Sequence, residues 1–333
     1  MPETKNKGLP VLAIDLGGTK IAAALISADN RVMDRAHSLT LASEGLQAVT
    51  SRIFTTIDRL LSQGTTDRAQ LDSIAIAAAG AIDTNKGWIT LSPNLPGWLN
   101  IPLRDIVRKR YGVDTYLIND ASAAALGEHR LGAGRDKNNL VYITVGTGIG
   151  GGIIVDGELY SGTSGGAGEI GHMTIDANGP ECNCGNTGCL EVLASGTAIA
   201  NEAKRRIKQG EKSLLSDMVL EGITAEKVAN AAHGGDQLAL DVISRAATYL
   251  GVGMVNLVNI FNPEMIIVGG GLSKMGELLL RPARQVVRKR AFPLCAGAVR
   301  IVVTKLGDDA GVLGAAIFAR QEKSANSFRR SGK

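Results

Sequence analysis

Three of the chain's four cysteines lie close together in the sequence, with one of its four histidines shortly before them. The pattern is His172-x9-Cys182-x-Cys184-x4-Cys189. Three thiolates and one imidazole form a four-coordinate donor set that suits structural Zn²⁺. A disulfide is the competing interpretation, but three neighbouring cysteines cannot all pair among themselves. The spacing therefore predicts a zinc site with His172, Cys182, Cys184 and Cys189 as its ligands.

Two turns rich in glycine could bind phosphate, because consecutive backbone N–H groups form an anion-binding concavity and threonine hydroxyls add donors. The first turn follows Asp15, and the second follows an apolar run that begins at Leu140. The alternative is that these glycines only close tight hairpins. The candidate phosphate-binding residues are Gly17, Gly18, Thr19 and Lys20 in the first turn and Gly146, Thr147 and Gly148 in the second.

The second turn also matches the dinucleotide-binding pattern G-x-G-x-x-G, over residues 146–151. That pattern binds pyrophosphate only where its glycines open a helix. Here the β-branched run GGIIVDGELY follows, which predicts a strand instead. We therefore interpret residues 140–156 as a β-hairpin, similar to the one predicted over residues 11–27.

The elements that position these residues repeat in the two halves of the chain, since each half opens with a hairpin and continues with helices and strands. The first half predicts a helix over 45–64, strands over 71–80 and 114–120, and a helix over 121–132. The second half predicts helices over 247–263, 276–292 and 308–323 and strands over 264–271 and 298–306. The chain is thus an α/β protein.

Composition narrows the class of protein. The 333 residues have room for about two domains, and 44% of them are hydrophobic. Four Lys/Arg in the last eleven residues account for the whole net charge of +4, so we expect a basic, disordered tail and no nucleic-acid binding. The N-terminus lacks a signal sequence, and polar residues interrupt the longest apolar region. We expect a soluble, cytoplasmic protein without membrane contact.

Six motifs together resemble one family. They are AIDLGGTKIAAALI, PNLPGW, LINDASAAALGE, VGTGIGGGII, GAGEIGH and CNCGNTGCLE, in the order found in the ROK (repressor, open reading frame, kinase) family. The resemblance covers residues 10 to 320. It implies a two-domain actin-like or hexokinase-like ATPase fold, built from duplicated ribonuclease-H-like units with an interdomain cleft. We expect a small domain of residues 1–120 plus about 308–333, and a large one of 121–307 that carries the zinc loop.

The resemblance also implies roles for individual residues. Asp15 would hold Mg²⁺ against the ATP phosphates, and the second turn would hold their other side. A further glycine loop would lie beside the adenosine, at Gly269, Gly270 and Gly271. Because these contacts lie on other strands than the zinc loop, we expect nucleotide binding to be independent of zinc.

Asp120 matches the family's catalytic base, which takes a proton from the attacking sugar hydroxyl. It precedes a predicted helix, so it could instead be the helix N-cap, and the helix terminus is expected to lower its pKa. The residues that match the family's sugar ligands, with Asp120, are Asn94, Asn119, Glu169, His172 and Glu191. With one nitrogen on zinc, His172 would present the other to a sugar hydroxyl.

The activity that follows from the resemblance is ATP-dependent phosphorylation of a hexose, with glucose as the first expectation. N-acetylmannosamine, fructose or another hexose are alternatives, and a non-catalytic sugar sensor is an alternative of a different class. Only fourteen residues precede Asp15, so we expect no N-terminal DNA-binding domain. The resemblance also implies a homodimer or homotetramer.

Overall fold

The computed structural model describes residues 8–63 and 68–331, and these divide into two compact units. One unit combines the chain up to Gly132 with Leu159–Ala167 and the segment from Asp308 onward. The other comprises Ala133–Glu158 and Gly168–Gly307. The first unit therefore extends past the expected boundary at residue 120, because the helix that begins there packs against the C-terminal helix.

The first unit is built on a mixed sheet with the strand order β3-β2-β1-β4-β8, beside a small antiparallel sheet with the order β5-β6-β7. Its strands are β1 (Val11–Leu16), β2 (Lys20–Ile26), β3 (Val32–Leu39), β4 (Ser73–Ala78), β5 (Ala81–Asp83), β6 (Trp88–Leu91), β7 (Leu99–Ile101) and β8 (Thr115–Asn119). Its helices are α1 (Gly45–Gln63), α2 (Leu103–Tyr111), α3 (Asp120–Leu131) and α10 (Ala310–Ser331).

The second unit contains a sheet with the strand order β11-β10-β9-β12-β13. Its strands are β9 (Leu140–Val145), β10 (Ile149–Val155), β11 (Glu158–Leu159, which continues into the first unit), β12 (Met265–Gly269) and β13 (Arg300–Val303). Its helices are α4 (Leu190–Ala194), α5 (Gly196–Lys208), α6 (Ala225–His233), α7 (Gln237–Phe261), α8 (Glu277–Arg290) and α9 (Pro293–Ala298).

The two sheets share one topology. Each sheet contains an antiparallel hairpin, β1–β2 or β9–β10. The first strand of the hairpin pairs in parallel with a third strand, β4 or β12, and this strand pairs in parallel with a fourth, β8 or β13. Both predicted hairpins are confirmed, and β10 follows the second glycine turn where a dinucleotide fold would need a helix. Because the parallel strands end at one edge, loops after β1, β4 and β8 gather in the first unit, and those after β9, β12 and β13 gather in the second.

Helix α7 is long and apolar enough to cross a membrane by length and composition alone. Its apolar residues instead form the centre of the second unit's core, where Leu250, Met254 and Val258 are fully buried. Of its most apolar stretch, 61% is buried inside the structure. We therefore identify α7 as a core helix.

Helices α3 and α10 lie closer together than ordinary side chains allow. A Cβ atom at Gly314 would overlap the Ala123 carbonyl oxygen, and one at Gly127 would lie 2.5 Å from the Ala310 carbonyl oxygen. Both helices also carry fully buried alanines, among them Ala123 and Ala315. The two backbones can approach because glycine has no side chain to separate them.

The prediction that the last eleven residues form a disordered tail is wrong for most of them, since α10 continues to Ser331. Lys323 supports this extension, because its ammonium group contacts the Asp72 carboxylate at 2.8 Å and donates to the Asp72 carbonyl oxygen. Residues 332–333 lie outside the described chain.

We expect Gly314→Ala to lower the free energy of unfolding by about 1–3 kcal/mol, because the added methyl group must push α10 away from α3. Gly297→Ala is the matched control, since this helical glycine has no heavy atom within 4 Å of a Cβ position. It should be neutral or stabilising. Urea unfolding measures both, and equal midpoints for the two variants would contradict the proposed contact.

Candidate functional site

The four predicted zinc ligands form one cluster in the second unit. Their ligand atoms all lie within 4.8 Å of one another. Cys182 and Cys189 are buried, His172 is half-buried, and Cys184 is exposed at the outer side of the cluster. The structure thus brings together four groups that the sequence distributes over a long loop.

Tight turns allow the loop to fold around the cluster. The N–H of Gly185 donates to the Cys182 carbonyl oxygen at 2.9 Å, and the N–H of Cys182 donates to Asn186 at 2.7 Å. Gly185 and Gly188 both have positive φ, which non-glycine residues rarely adopt. The glycines of the motif are therefore required by the turns themselves.

The cluster's dimensions fit a tetrahedral zinc ion. A Zn–S bond of about 2.3 Å places two tetrahedral sulfurs about 3.8 Å apart. The Sγ atoms of Cys184 and Cys189 are 3.7 Å apart, and so are Cys182 Sγ and His172 Nδ1. A disulfide would need a sulfur separation of about 2.0 Å. The cysteines are free thiols, as the zinc interpretation requires.

Electrostatics also favours a cation at this position. The pKa of the Cys189 thiol is raised to about 12, first by burial and then by the neighbouring thiols of Cys184 and Cys182. Three crowded thiols do not ionise together without positive charge between them. A bound divalent cation would supply that charge and stabilise all three thiolates.

The two nitrogens of His172 face different neighbours. Nδ1 lies toward the cluster, while Nε2 is 4.0 Å from a carboxylate oxygen of Glu169. A metal on Nδ1 would fix the ring and leave Nε2 available for an outside partner. Glu169 therefore lies next to the nitrogen of His172 that faces away from the cluster.

In the first unit, Asp15 and Asp120 lie at the carboxyl edge of the parallel strands. Asp15 belongs to β1, and Asp120 directly follows β8. The pKa of Asp15 is raised to about 7, chiefly by burial and then by the negative charge of Asp120. Lys20 opposes this rise. Gly311 at the start of α10 borders Asp15, since a Cβ there would lie 2.9 Å from Oδ2.

Two expectations for Asp120 need correction. The N-cap of α3 is Asn119, whose side chain accepts from the Ser122 N–H at 2.9 Å. The pKa of Asp120 is raised rather than lowered, because burial outweighs the hydrogen bonds from the Ala121 N–H and the Asn119 amide. Asp120 is therefore a stronger base than an exposed aspartate.

Asn119 is more constrained than a free sugar ligand would be. Besides capping α3, its amide donates to the Gly80 carbonyl oxygen at 3.0 Å and to Asp120 at 3.1 Å. Both ends of the side chain thus have protein partners. Its clearest task in the structure is to hold Asp120 in place.

Asn94 lies against the first glycine turn. The buried side chains of Leu95 and Trp98 anchor its loop, and a Cβ at Gly18 would lie 2.9 Å from the Asn94 carbonyl oxygen. The turn itself is supported by the buried Thr40, whose hydroxyl donates to the Gly17 carbonyl oxygen at 2.6 Å. Sequence reasoning missed Thr40, because nothing in its surroundings distinguishes it from a surface threonine.

The second glycine turn and the predicted adenosine loop lie together in the second unit. A Cβ at Gly146 would meet open space, since no heavy atom lies within 4 Å of it. Gly270 has positive φ and approaches the end of β9, where a Cβ would lie 2.5 Å from the Val145 carbonyl oxygen. Gly269, before it, is the last residue of β12, and Gly271, after it, is the first residue of the following 3₁₀ turn.

Glu191 reaches the second turn with its side chain. Its Oε2 accepts a hydrogen bond from the Ile149 N–H at 2.8 Å, so one oxygen is engaged with the protein. Gly196 and Thr197, at the start of α5, also bond to this turn. These two residues were missed by sequence reasoning, because they lie inside a helical pattern without a recognisable motif.

The duplicated sheet topology defines an actin-like ATPase fold. The cluster of one histidine and three cysteines indicates which family within that fold the chain belongs to. The chain belongs to the ROK family, whose model matches residues 11–322. It is 38% identical over 319 residues to a glucokinase of Thermotoga maritima, covering 94% of this chain and 98% of that one. It is 36% identical to a xylose repressor of Caldicellulosiruptor bescii, covering 91% of this chain and 76% of the repressor.

Among solved structures, the fold is similar to a ROK family glucokinase from Streptomyces griseus in complex with glucose and AMPPNP. The TM-score is 0.83 at 34% identity, over 94% of this chain and 99% of that chain. Relatives at comparable identity thus include both glucokinases and a xylose repressor.

We expect about one zinc per chain by elemental analysis, as one four-ligand set requires. Cys184→Ser should lose that zinc, because a neutral hydroxyl is a poor substitute for a thiolate. The side chain is exposed, so the substitution leaves no core cavity. Cys295→Ser, which removes the thiol outside the cluster, is the control and should retain zinc. A folded Cys184→Ser protein with a full complement of zinc would exclude this site.

Asp15→Asn should stabilise the protein, and more at pH 8 than at pH 5. The folded carboxyl has a pKa of about 7, while an unfolded aspartate titrates near 4, so the folded state binds the extra proton. Stability from this group is therefore lost as pH rises from about 4 to about 7. Removing the charge should raise the thermal midpoint at pH 8 by about 2–4 °C.

The exposed Asp114→Asn is the control in the same unit and should change the midpoint little at either pH. An Asp15→Asn midpoint that moves equally at pH 5 and pH 8 would show that the carboxylate carries no burial penalty.

Proposed function

We propose that this protein is an ATP-dependent hexose kinase and that glucose is its substrate. The observation that carries the proposal is the pair Asp15 and Asp120, held at one sheet edge with raised pKa values. One carboxylate suits a phosphate-bound cation and the other suits a base. The glucokinase relatives support glucose among the hexoses.

Phosphoryl transfer needs a base for the attacking hydroxyl and positive groups around the phosphates. Asp120 accepts the proton of a sugar hydroxyl while that oxygen bonds to the γ-phosphorus. The bond between the γ-phosphorus and its bridging oxygen breaks, and ADP leaves. Asp15 would hold the Mg²⁺ that arrives with ATP, and Lys20 in the same unit would bind a phosphate oxygen. Each glycine turn, within its own unit, offers N–H groups that suit phosphate oxygens.

The sugar would be held by acceptors that suit a polyol, whose hydroxyls donate hydrogen bonds. Glu169 and His172 Nε2 already face one surface, and one oxygen of Glu191 is engaged with the turn, which leaves the other for a hydroxyl. In the first unit, Asn94 and Asn119 are the candidate sugar ligands, and Asn119 would have to keep its bonds to Gly80 and Ser122 while it binds. Zinc, when bound, would supply no redox or acid–base chemistry and would orient His172.

The xylose repressor relatives favour a second candidate, a sugar sensor that binds without turnover. A coupled ATP-consumption assay over glucose, mannose, fructose, xylose and N-acetylmannosamine separates the two. Turnover on a hexose supports the kinase and ranks the substrates. Sugar binding by calorimetry without any ATP consumption would favour the sensor.

We expect Asp120→Asn to lower kcat by about 100-fold or more, the usual effect of losing a general base. The amide keeps the shape and the acceptor oxygen for Ala121 but cannot take a proton. Sugar affinity should change much less. The measurements are kcat by the coupled assay and sugar Kd by calorimetry.

Circular dichroism confirms that the variant is folded, and the exposed Asp114→Asn serves as the active control. Turnover of Asp120→Asn near that of the unmodified protein would remove Asp120 from the mechanism.

A further inference from the structure

The second glycine turn is held by the chain that follows the zinc cluster. The Gly196 N–H donates to the Gly146 carbonyl oxygen at 2.8 Å. The Thr197 hydroxyl donates to the Thr147 carbonyl oxygen, also at 2.8 Å. From the other side, Glu191 accepts from the Ile149 N–H. The Thr197 N–H also donates to the Thr147 carbonyl oxygen, at 3.4 Å, so four bonds connect the segment 191–197 to one turn.

The fit at this contact is close on both sides. A Cβ at Gly148 would overlap Oε2 of Glu191, and a Cβ at Gly196 would lie 2.8 Å from the Gly146 carbonyl oxygen. Gly196 meets fixed backbone and has to be glycine, whereas a side chain at Gly148 would displace the Glu191 carboxylate from its bond to the turn.

The bonded carbonyls decide where the turn's donors point. In a trans peptide the C=O and the following N–H point in opposite directions. Tying down the Gly146 and Thr147 carbonyls therefore fixes the N–H groups of Thr147 and Gly148 on the other side. If the Thr147 carbonyl were released, its peptide could rotate and present an oxygen to an anion, which would repel it.

The zinc cluster is continuous with this support. Cys189 immediately precedes α4, whose first residue Leu190 is fully buried and donates its N–H to the Met173 carbonyl oxygen at 2.9 Å. The segment before the cluster also rests on the hairpin, since a Cβ at Gly151 would overlap the Ile170 side chain. Both chain segments that leave the cluster contact β9–β10 or its turn.

We propose that Glu191 and Thr197 are positioning residues for the second phosphate turn, and that the zinc cluster sets nucleotide affinity through them. The proposal rests on the proposed kinase function for the identity of the ligand. It reverses the expectation that nucleotide binding is independent of zinc. The strands are indeed different, but α4 and the start of α5 connect them.

The test compares Thr197→Val with Thr197→Ser. Valine keeps the shape and loses the hydroxyl, whereas serine keeps the hydroxyl. Calorimetry with AMPPNP and Mg²⁺ should show about three- to tenfold weaker binding for Thr197→Val, the scale of one lost neutral hydrogen bond. Thr197→Ser should bind within about twofold of the unmodified protein. Glucose affinity should be the same in all three.

If Thr197→Val binds AMPPNP as tightly as the unmodified protein does, the positioning role of Thr197 is wrong. Equal weakening in both variants would also overturn it, because the effect would then not follow the hydroxyl. A general loss of stability would lower glucose affinity as well, which the third measurement detects.

The zinc arm uses the full chain stripped of metal by a chelator, with circular dichroism as the folding check. Hydrogen exchange read by mass spectrometry should become faster in the peptide that covers residues 146–150, and AMPPNP should bind more weakly. Restoring Zn²⁺ should reverse both changes. Unchanged exchange and unchanged AMPPNP affinity in the folded, stripped protein would overturn the link to zinc.

The two proposals fail in different ways. If the unmodified protein binds no AMPPNP at all, the proposed kinase function fails, while the exchange of residues 146–150 still tests whether zinc supports the turn. If it binds AMPPNP and neither Thr197→Val nor zinc removal changes the affinity, the kinase function stands and the positioning role is wrong.

Discussion

The backbone contact between α3 and α10 is the constraint on which the first unit's chemistry depends. Glycines 127 and 314 let the helices touch almost without side chains between them. The start of α3 carries Asp120, and the start of α10 borders Asp15 through Gly311. The negative charge of Asp120 raises the pKa of Asp15, and the close contact of the two helices leaves the two carboxylates little freedom to move apart.

The anion site proposed for the second unit depends on a different structural feature. Its proposed donors are N–H groups of a hairpin turn, whereas in a dinucleotide fold they belong to a helix N-terminus. The orientation of such donors depends on which way each peptide plane faces. Support for the carbonyl oxygens behind the turn is therefore as important as the donors in front of it.

The sequence predicts the elements well because its signals are local. Gly132 ends α3 as expected, and β-branched residues after Gly148 correctly exclude a helix. The His172, Cys182, Cys184 and Cys189 cluster was also predictable, because short cysteine spacings are typical of loops that supply several ligands to one metal ion. The predictions that failed concern properties that depend on tertiary contacts. Burial raises the pKa of Asp120 although its helix position alone would lower it.

The sequence also gave no indication of the residues that support the two glycine turns. Thr40 and Thr197 act through single hydrogen bonds to backbone carbonyls that are distant in the sequence. Such a bond leaves no pattern in the chain, because any threonine at that position looks the same. The tail was misjudged for the same reason, since the partner of Lys323 is Asp72.

The continuity of the hairpin, the zinc loop and the start of α5 has a consequence for how the protein is made. Residues 140–197 supply both sides of every bond in this support, and the bonded residues are 42 to 50 positions apart. Loop closure costs less entropy over these distances than over the longer one between β9 and β12. The loop beside Gly270 is synthesised later and joins β9 across more than a hundred residues. We therefore expect metal capture to organise half of this anion site on a nascent chain, before the strands that complete the sheet emerge from the ribosome. Pulse-labelled hydrogen exchange during refolding, with and without Zn²⁺, would show whether β9–β10 is protected ahead of β12.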